Sequence, residues 1–180
     1  AAVIGGNGSE DTYDLRFTPS GSIVVCGATS STNLGSGGSN LNFPNASNTN
    51  NGGDDFWMYQ INADLNTVAW MRNWGGGDVD RINIININTN GDIYAGGYTE
   101  SSGLSLVSPR QGTYAGDDND GSGYLAKMNS TGVIQWSSYF NSSSNAATTN
   151  VLCMEFNQAK NAIYFGGTTE GLATSNISSS

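Results

Sequence analysis

The chain has 180 residues, 37% hydrophobic and 12% charged, with fifteen acidic against six basic side chains and a net charge of −9. That balance disfavours nucleic acid and anionic membrane surfaces as partners, and no apolar run approaches the ~20 residues that span a bilayer, so membrane insertion is not expected. Histidine is absent, which removes the commonest general base, the commonest metal ligand and any Ser-His triad.

The first predicted strand pair runs from Tyr13, Leu15 and Phe17 through a turn at Ser20-Gly21 into Ile23-Val24-Val25-Cys26-Gly27-Ala28-Thr29. Period-2 alternation puts Tyr13, Leu15 and Phe17 on one inward face, and the turn residues supply the positive φ of a tight connection. A Ser/Asn/Gly-rich connection, 30–51, leads to a third strand over 55–62 and, after a short polar turn, to a fourth around Val68-Ala69-Trp70. The same order then recurs. Trp74-Gly75-Gly76 repeats Ile4-Gly5-Gly6, Asn83, Ile85 and Ile87 repeat the first strand, and Asn90-Gly91 repeats the turn. Ile93-Tyr94-Ala95-Gly96-Gly97-Tyr98-Thr99 follows, then a connection over 101–120, a third strand over 122–129 and a fourth at Ile134-Gln135-Trp136. A third copy places Met154 and Phe156 inward, has a turn one residue longer at 157–161, and ends after its second strand, Ile163–Thr169.

Gly27, Gly97 and Gly167 thus fall at equal steps of 70. A β-rich unit repeated at a fixed step has an apolar face that only stacking on a neighbour can bury. Four short strands per step, without apolar residues at helical spacing, match the content of one propeller blade. The predicted fold is therefore all-β: a β-propeller-like array of four-stranded antiparallel blades, about two and a half in one array over 1–180. The approximate blades are 3–72, 73–138 and an incomplete 139–180.

Gly91-Asp92-Ile93-Tyr94-Ala95-Gly96-Gly97-Tyr98-Thr99, Pro109, Tyr124-Leu125-Ala126-Lys127-Met128-Asn129, Gly132 and Trp136 carry a further likeness. The pattern resembles the bacterial β-propeller repeat of seven-bladed propellers in secreted and surface proteins, and the likeness covers nearly the whole chain. Cys26 in place of the small glycine of the other copies, and Gln60 in place of Lys127, depart from it. The resemblance implies an architecture and leaves activity open, because this fold carries many roles. A closed ring takes about four to eight blades. The chain is therefore expected to be a segment of a larger polypeptide, the alternative being several copies that complete a ring or a fibre.

Candidate chemistry is sparse. Asp54 with Asp55, Asp78 with Asp80, and Glu10 with Asp11 are the adjacent carboxylates, and the expectation is solvated loop charges, since neighbours in a strand point to opposite faces. No catalytic residue is assigned. Asp118, Asp120 and Ser122 give Asp-x-Asp-x-Ser-Gly, the opening of a calcium loop, although the twelfth position is Asn129 and no helices flank it. Calcium is the only cofactor these residues suggest. Cys26 and Cys153 sit at different repeat positions and are expected to be unpaired, buried thiols. Asn-x-Ser/Thr triplets at Asn7, Asn45, Asn129, Asn141 and Asn176 are what an Asn- and Ser-rich chain produces by chance. Most aromatics recur at equivalent places and belong to the core; Tyr59 and Tyr98 do not, which makes them candidate ligand contacts.

The expectation is a non-enzymatic extracellular or cell-surface module, serving adhesion or forming part of a filament or appendage. Its partners would be other copies or remaining blades of the same protein, and surface glycans or proteins. A calcium-dependent carbohydrate-binding module, or an accessory domain of a polysaccharide-degrading enzyme, is the alternative.

Overall fold

The computed structural model describes residues 4–35, 50–115, 120–141, 148–157, 159 and 162–170, together with the backbone of 46–47. Among these residues the chain is all-β with no helix. In chain order the strands are β1 (Glu10–Phe17), β2 (Ile23–Thr29), β3 (Ala46–Ser47), β4 (Asp55–Ile61), β5 (Val68–Trp74) and β6 (Asp80–Ile87). They continue with β7 (Ile93–Thr99), β8 (Ser122–Met128), β9 (Ile134–Phe140), β10 (Thr149–Phe156) and β11 (Ile163–Thr169). Three antiparallel sheets result, β1-β2-β4-β5, β6-β7-β8-β9 and β10-β11. The two-residue β3 adds a parallel rung along the outer edge of β5.

The hairpins form where the sequence supplies a left-handed residue. Gly21 and Gly91 both have φ +84°, and their N–H groups donate to Thr18 O (2.9 Å) and Asn88 O (3.0 Å). A side chain in that conformation is strained, so Gly91→Ala should lower stability by about 1 kcal/mol, read from the shift in a urea unfolding midpoint.

Every first strand carries a bulge. The register jumps between Thr12 and Asp14, between Ile82 and Ile84, and between Val151 and Cys153, leaving Tyr13, Asn83 and Leu152 as the extra residues. This corrects the alternation expected for Tyr13, Leu15 and Phe17. The bulge takes Tyr13 out of the period-2 pattern, and the three side chains are 42%, 49% and 68% exposed. In β6 the buried apolar residues are instead Ile82 and Ile85, three apart across the bulge. A bulged, twisted edge is a poor template for pairing with another strand.

The sheets stack face to face. Val24, Cys26, Phe56, Met58 and Trp70 of the first pack on Ile82, Ile85, Ile93, Ala95, Tyr124 and Met128 of the second. Phe56 stacks on Tyr124 with ring centroids 4.3 Å apart, and Trp70 donates across this seam to Ser130 O at 3.1 Å. The second seam joins Leu125, Ile84 and Tyr94 to Val151, Met154 and Phe165. Described parts of the connections after β2 and β7 lie against outer edges. β3 covers β5, while Val107 O and Gln111 O accept from Ser137 N (2.8 Å) and Tyr139 N (3.2 Å) of β9.

Both cysteines are free, but only Cys26 is buried. Burial, the largest cause, pushes its thiol pKa up and leaves it inert. Cys153 is exposed, contrary to the expectation of two buried thiols, because the bulge at Leu152 sets it on the face of β10 turned away from the second seam.

Candidate functional site

The carboxylates assemble in a way that adjacency in sequence does not reveal. Glu10 and Asp80 each open the first strand of a sheet and hold the chain that leads into it. Glu10 accepts from Gly6 N (3.2 Å), Thr29 Oγ1 (3.1 Å) and Ser31 Oγ. Asp80 accepts from Gly76 N (2.7 Å), Thr99 Oγ1 and Ser101 Oγ (3.0 Å). Ser31 and Ser101 in turn accept from Gly8 N (2.7 Å) and Asp78 N (3.1 Å). This latch ties the Gly-Gly segment to the end of the second strand in the first and second sheets. In the third sheet Thr149 takes the carboxylate's place, with its hydroxyl 3.4 Å from that of Thr169.

Asp55 and Asp80 are fully buried, so the expectation of solvated loop charges fails for both. They meet across Gly75, where a Cβ would strike Asp55 Oδ1 and Asp80 Oδ2 together, which places the two oxygens less than about 5 Å apart. Asp55 Oδ2 accepts from Asn51 N at 2.9 Å, while Asp55 Oδ1 is buried without a hydrogen-bond partner among the described residues. Burial is the main cause that pushes both acids up to about 6, with the neighbouring carboxylates Asp54 and Asp55 adding to it. A proton taken up by either acid removes the like-charge repulsion between Asp55 and Asp80.

A second feature opens to solvent. The bulges of β1 and β6 and the upper ends of β7 and β10 enclose a cleft of about 360 Å³. Tyr13, Tyr98, Asn83 and Asn150 line it, and Asn83 Nδ2 donates to Asn150 Oδ1 at 2.6 Å. Arg81 and Glu100 also line it, and Thr148 stands at the β10 side. Tyr98 donates to Glu100 Oε1 at 2.8 Å, and its ring abuts Gly121, where a Cβ would collide with it. Arg81 Nη2 reaches only to 3.6 Å from Asp54 Oδ2.

No protein-family model matches the chain, and no curated protein matches it in sequence. The site's chemistry therefore rests on its own residues.

Of the sequence candidates, Tyr98 lies in the cleft, while Tyr59 is 8% exposed and packs on Trp57 with centroids 4.9 Å apart. Asp118 lies outside the described residues. Asp120 Oδ1 accepts from Thr148 Oγ1 at 2.9 Å, and Ser122 is fully buried opposite Thr99 in the ladder. Among the described residues no group of three or more His, Cys, Asp or Glu is placed to hold a metal. Sequence reasoning missed Asp55 with Asp80, and it missed Tyr13, Arg81, Asn83 and Asn150. A legible signal existed for the latch: Glu10 and Asp80 stand at the 70-residue step, each matched by a Thr-x-Ser at Thr29 and Thr99.

Proposed function

We propose that this chain is a non-catalytic module of a β-propeller-type array, exposed outside the cell and serving adhesion or the build of an extracellular filament. The observation that carries the array reading is a contrast between seams and ends. Ile85 is fully buried, yet its counterpart Leu15, one step earlier, is 49% exposed. Val24 and Tyr94 pack in the two seams, whereas their counterpart Tyr164 is 66% exposed. The outward faces of the first and third sheets thus present the positions that inner seams bury, and further blades of the same protein are what covers them. The non-catalytic reading is supported by the full burial of the pair Asp55 and Asp80, which keeps it from solvent. The polar, weakly charged composition fits an extracellular setting.

The 180-residue chain alone should bind the dye ANS and show a mass that rises with concentration in light scattering. Leu15→Ser with Phe17→Ser and Tyr164→Ser should abolish both. A monodisperse monomer with no dye binding at every concentration would overturn the array reading.

A further inference from the structure

We infer that the cleft lined by β1, β6, β7 and β10 is a binding site for a neutral saccharide, held by the rings of Tyr13 and Tyr98. This goes beyond the module reading and does not depend on how the outward faces are covered. Four observations lead to it.

First, the two rings are presented by different devices. Tyr13 is the extra residue of a bulge, which aims a side chain off the regular face. Tyr98 is fixed by Gly121 behind its ring and by Glu100 at its hydroxyl. Neither position is aromatic in the other copies, where the counterparts are Asn83 for Tyr13 and Ala28 or Thr168 for Tyr98. The repeat's packing therefore does not require them. Aromatic faces with a wet hydroxyl at the rim are what the apolar C–H face of a pyranose stacks on.

Second, the lining offers both donors and acceptors. Asn83 Nδ2 donates to Asn150 Oδ1 (2.6 Å) and to Val151 O (3.0 Å), which leaves Asn83 Oδ1 as an acceptor and Asn150 Nδ2 as a donor for a ligand. An amide pair of this kind suits a hydroxyl, which donates and accepts at once.

Third, charge selects against anions. Arg81 and Glu100 cancel within the cleft, and Asp54 stands beside Arg81. The chain as a whole carries −9, so a uronate or sulfated sugar is repelled on approach, and a neutral one is not.

Fourth, a volume of about 360 Å³ lies within the range of small-ligand clefts, about 300–1,000 Å³.

The test is saturation-transfer NMR and calorimetry on the full chain. The probes are neutral tetrasaccharides of the cello, xylo, manno and chito series, with tetragalacturonate as the acidic comparison. At least one neutral probe should bind and tetragalacturonate should not. Tyr13→Ala, at an exposed position, and Tyr98→Ala should each weaken binding by roughly tenfold or more. Tyr164→Ala, far from the cleft on the third sheet, should leave it unchanged. Should Tyr98→Ala fold poorly, Tyr13→Ala and Asn150→Ala carry the test, with thermal unfolding as the control. Binding of no neutral probe, binding that survives both tyrosine losses, or tighter binding of the acidic probe would each overturn the assignment.

Discussion

Gly97→Val should destabilise the protein by at least ~3 kcal/mol, lowering Tm by roughly 6–12 °C for a chain of this size. The cause is backbone against backbone. The bulge in β6 lays the Arg81 carbonyl and the Ile82 Cα over Gly97, where any Cβ would overlap them. A flexible side chain could swing away, but a carbonyl fixed in a ladder cannot move without unpairing β6 from β7. The same clash stands at Gly27 against Asp11 O and at Gly167 against Asn150 O. The 70-residue glycine step is thus the mark of one device, a bulged first strand crossing close over its neighbour. Gly103, where a Cβ would meet nothing within 4 Å, supplies the control. Gly103→Val should change stability by no more than about 0.5 kcal/mol.

Asp55→Asn should raise stability at pH 7 and flatten its pH dependence. The acids Asp55 and Asp80 ionise near 3.8 when unfolded and near 6 when folded. Between those values the folded state holds a proton that the unfolded state has released, so stability falls as pH rises from about 4 to 6. Each proton so held corresponds to a loss of about 2–3 kcal/mol across that window. In Asp55→Asn the side-chain oxygen still accepts from Asn51 N, and the amide nitrogen replaces the orphaned oxygen facing Asp80. The variant should therefore gain about 1–2 kcal/mol over the native chain at pH 7 and nothing below pH 4. Asp80→Asn separates this effect from a general one. Asp80 is the acceptor for Gly76, Thr99 and Ser101, so the amide leaves donors stranded and should destabilise at every pH. Urea unfolding of the three proteins from pH 3.5 to 7.5 is the measurement, and equal slopes for native and Asp55→Asn would rule out a raised ionisation of Asp55. Asp92, held low chiefly by its hydrogen bond with Lys127, gives an opposing slope that cancels in the difference.

The strands were legible because each follows from local rules. Ile23–Thr29, Ile93–Thr99 and Ile163–Thr169 read as strands from β-branched and aromatic residues flanked by turn signals, and the helix-free sheets of four, four and two strands agree. What escaped was non-local. Tyr13 and Asn83 are bulge residues, and nothing in their neighbours' polarity announces the extra residue; only the pairing with β2 and β7 does. Asp55 and Asp80 lie in acidic, Gly-rich stretches that resemble solvated turns, and they converge because the linker after β5 passes between them at Gly75. The cleft is assembled from β1, β6, β7 and β10, so no window of sequence contains it. Tyr98 was singled out as a position where the repeat varies. Tyr59 varies too, yet it fills the core beside Trp57, which shows that variation alone does not distinguish surface from packing.

The central claim is that successive repeats stack face to face, with sheet one against sheet two through equivalent positions. Aromatic NOE spectroscopy on a chain selectively labelled at Phe and Tyr tests it directly. Phe56 and Tyr124, 68 positions apart, have ring centroids separated by 4.3 Å, so strong cross-peaks between them are predicted, together with a second set between Phe140 and Phe165 at 5.0 Å across the next seam. Absence of both sets in a folded chain would contradict the stack.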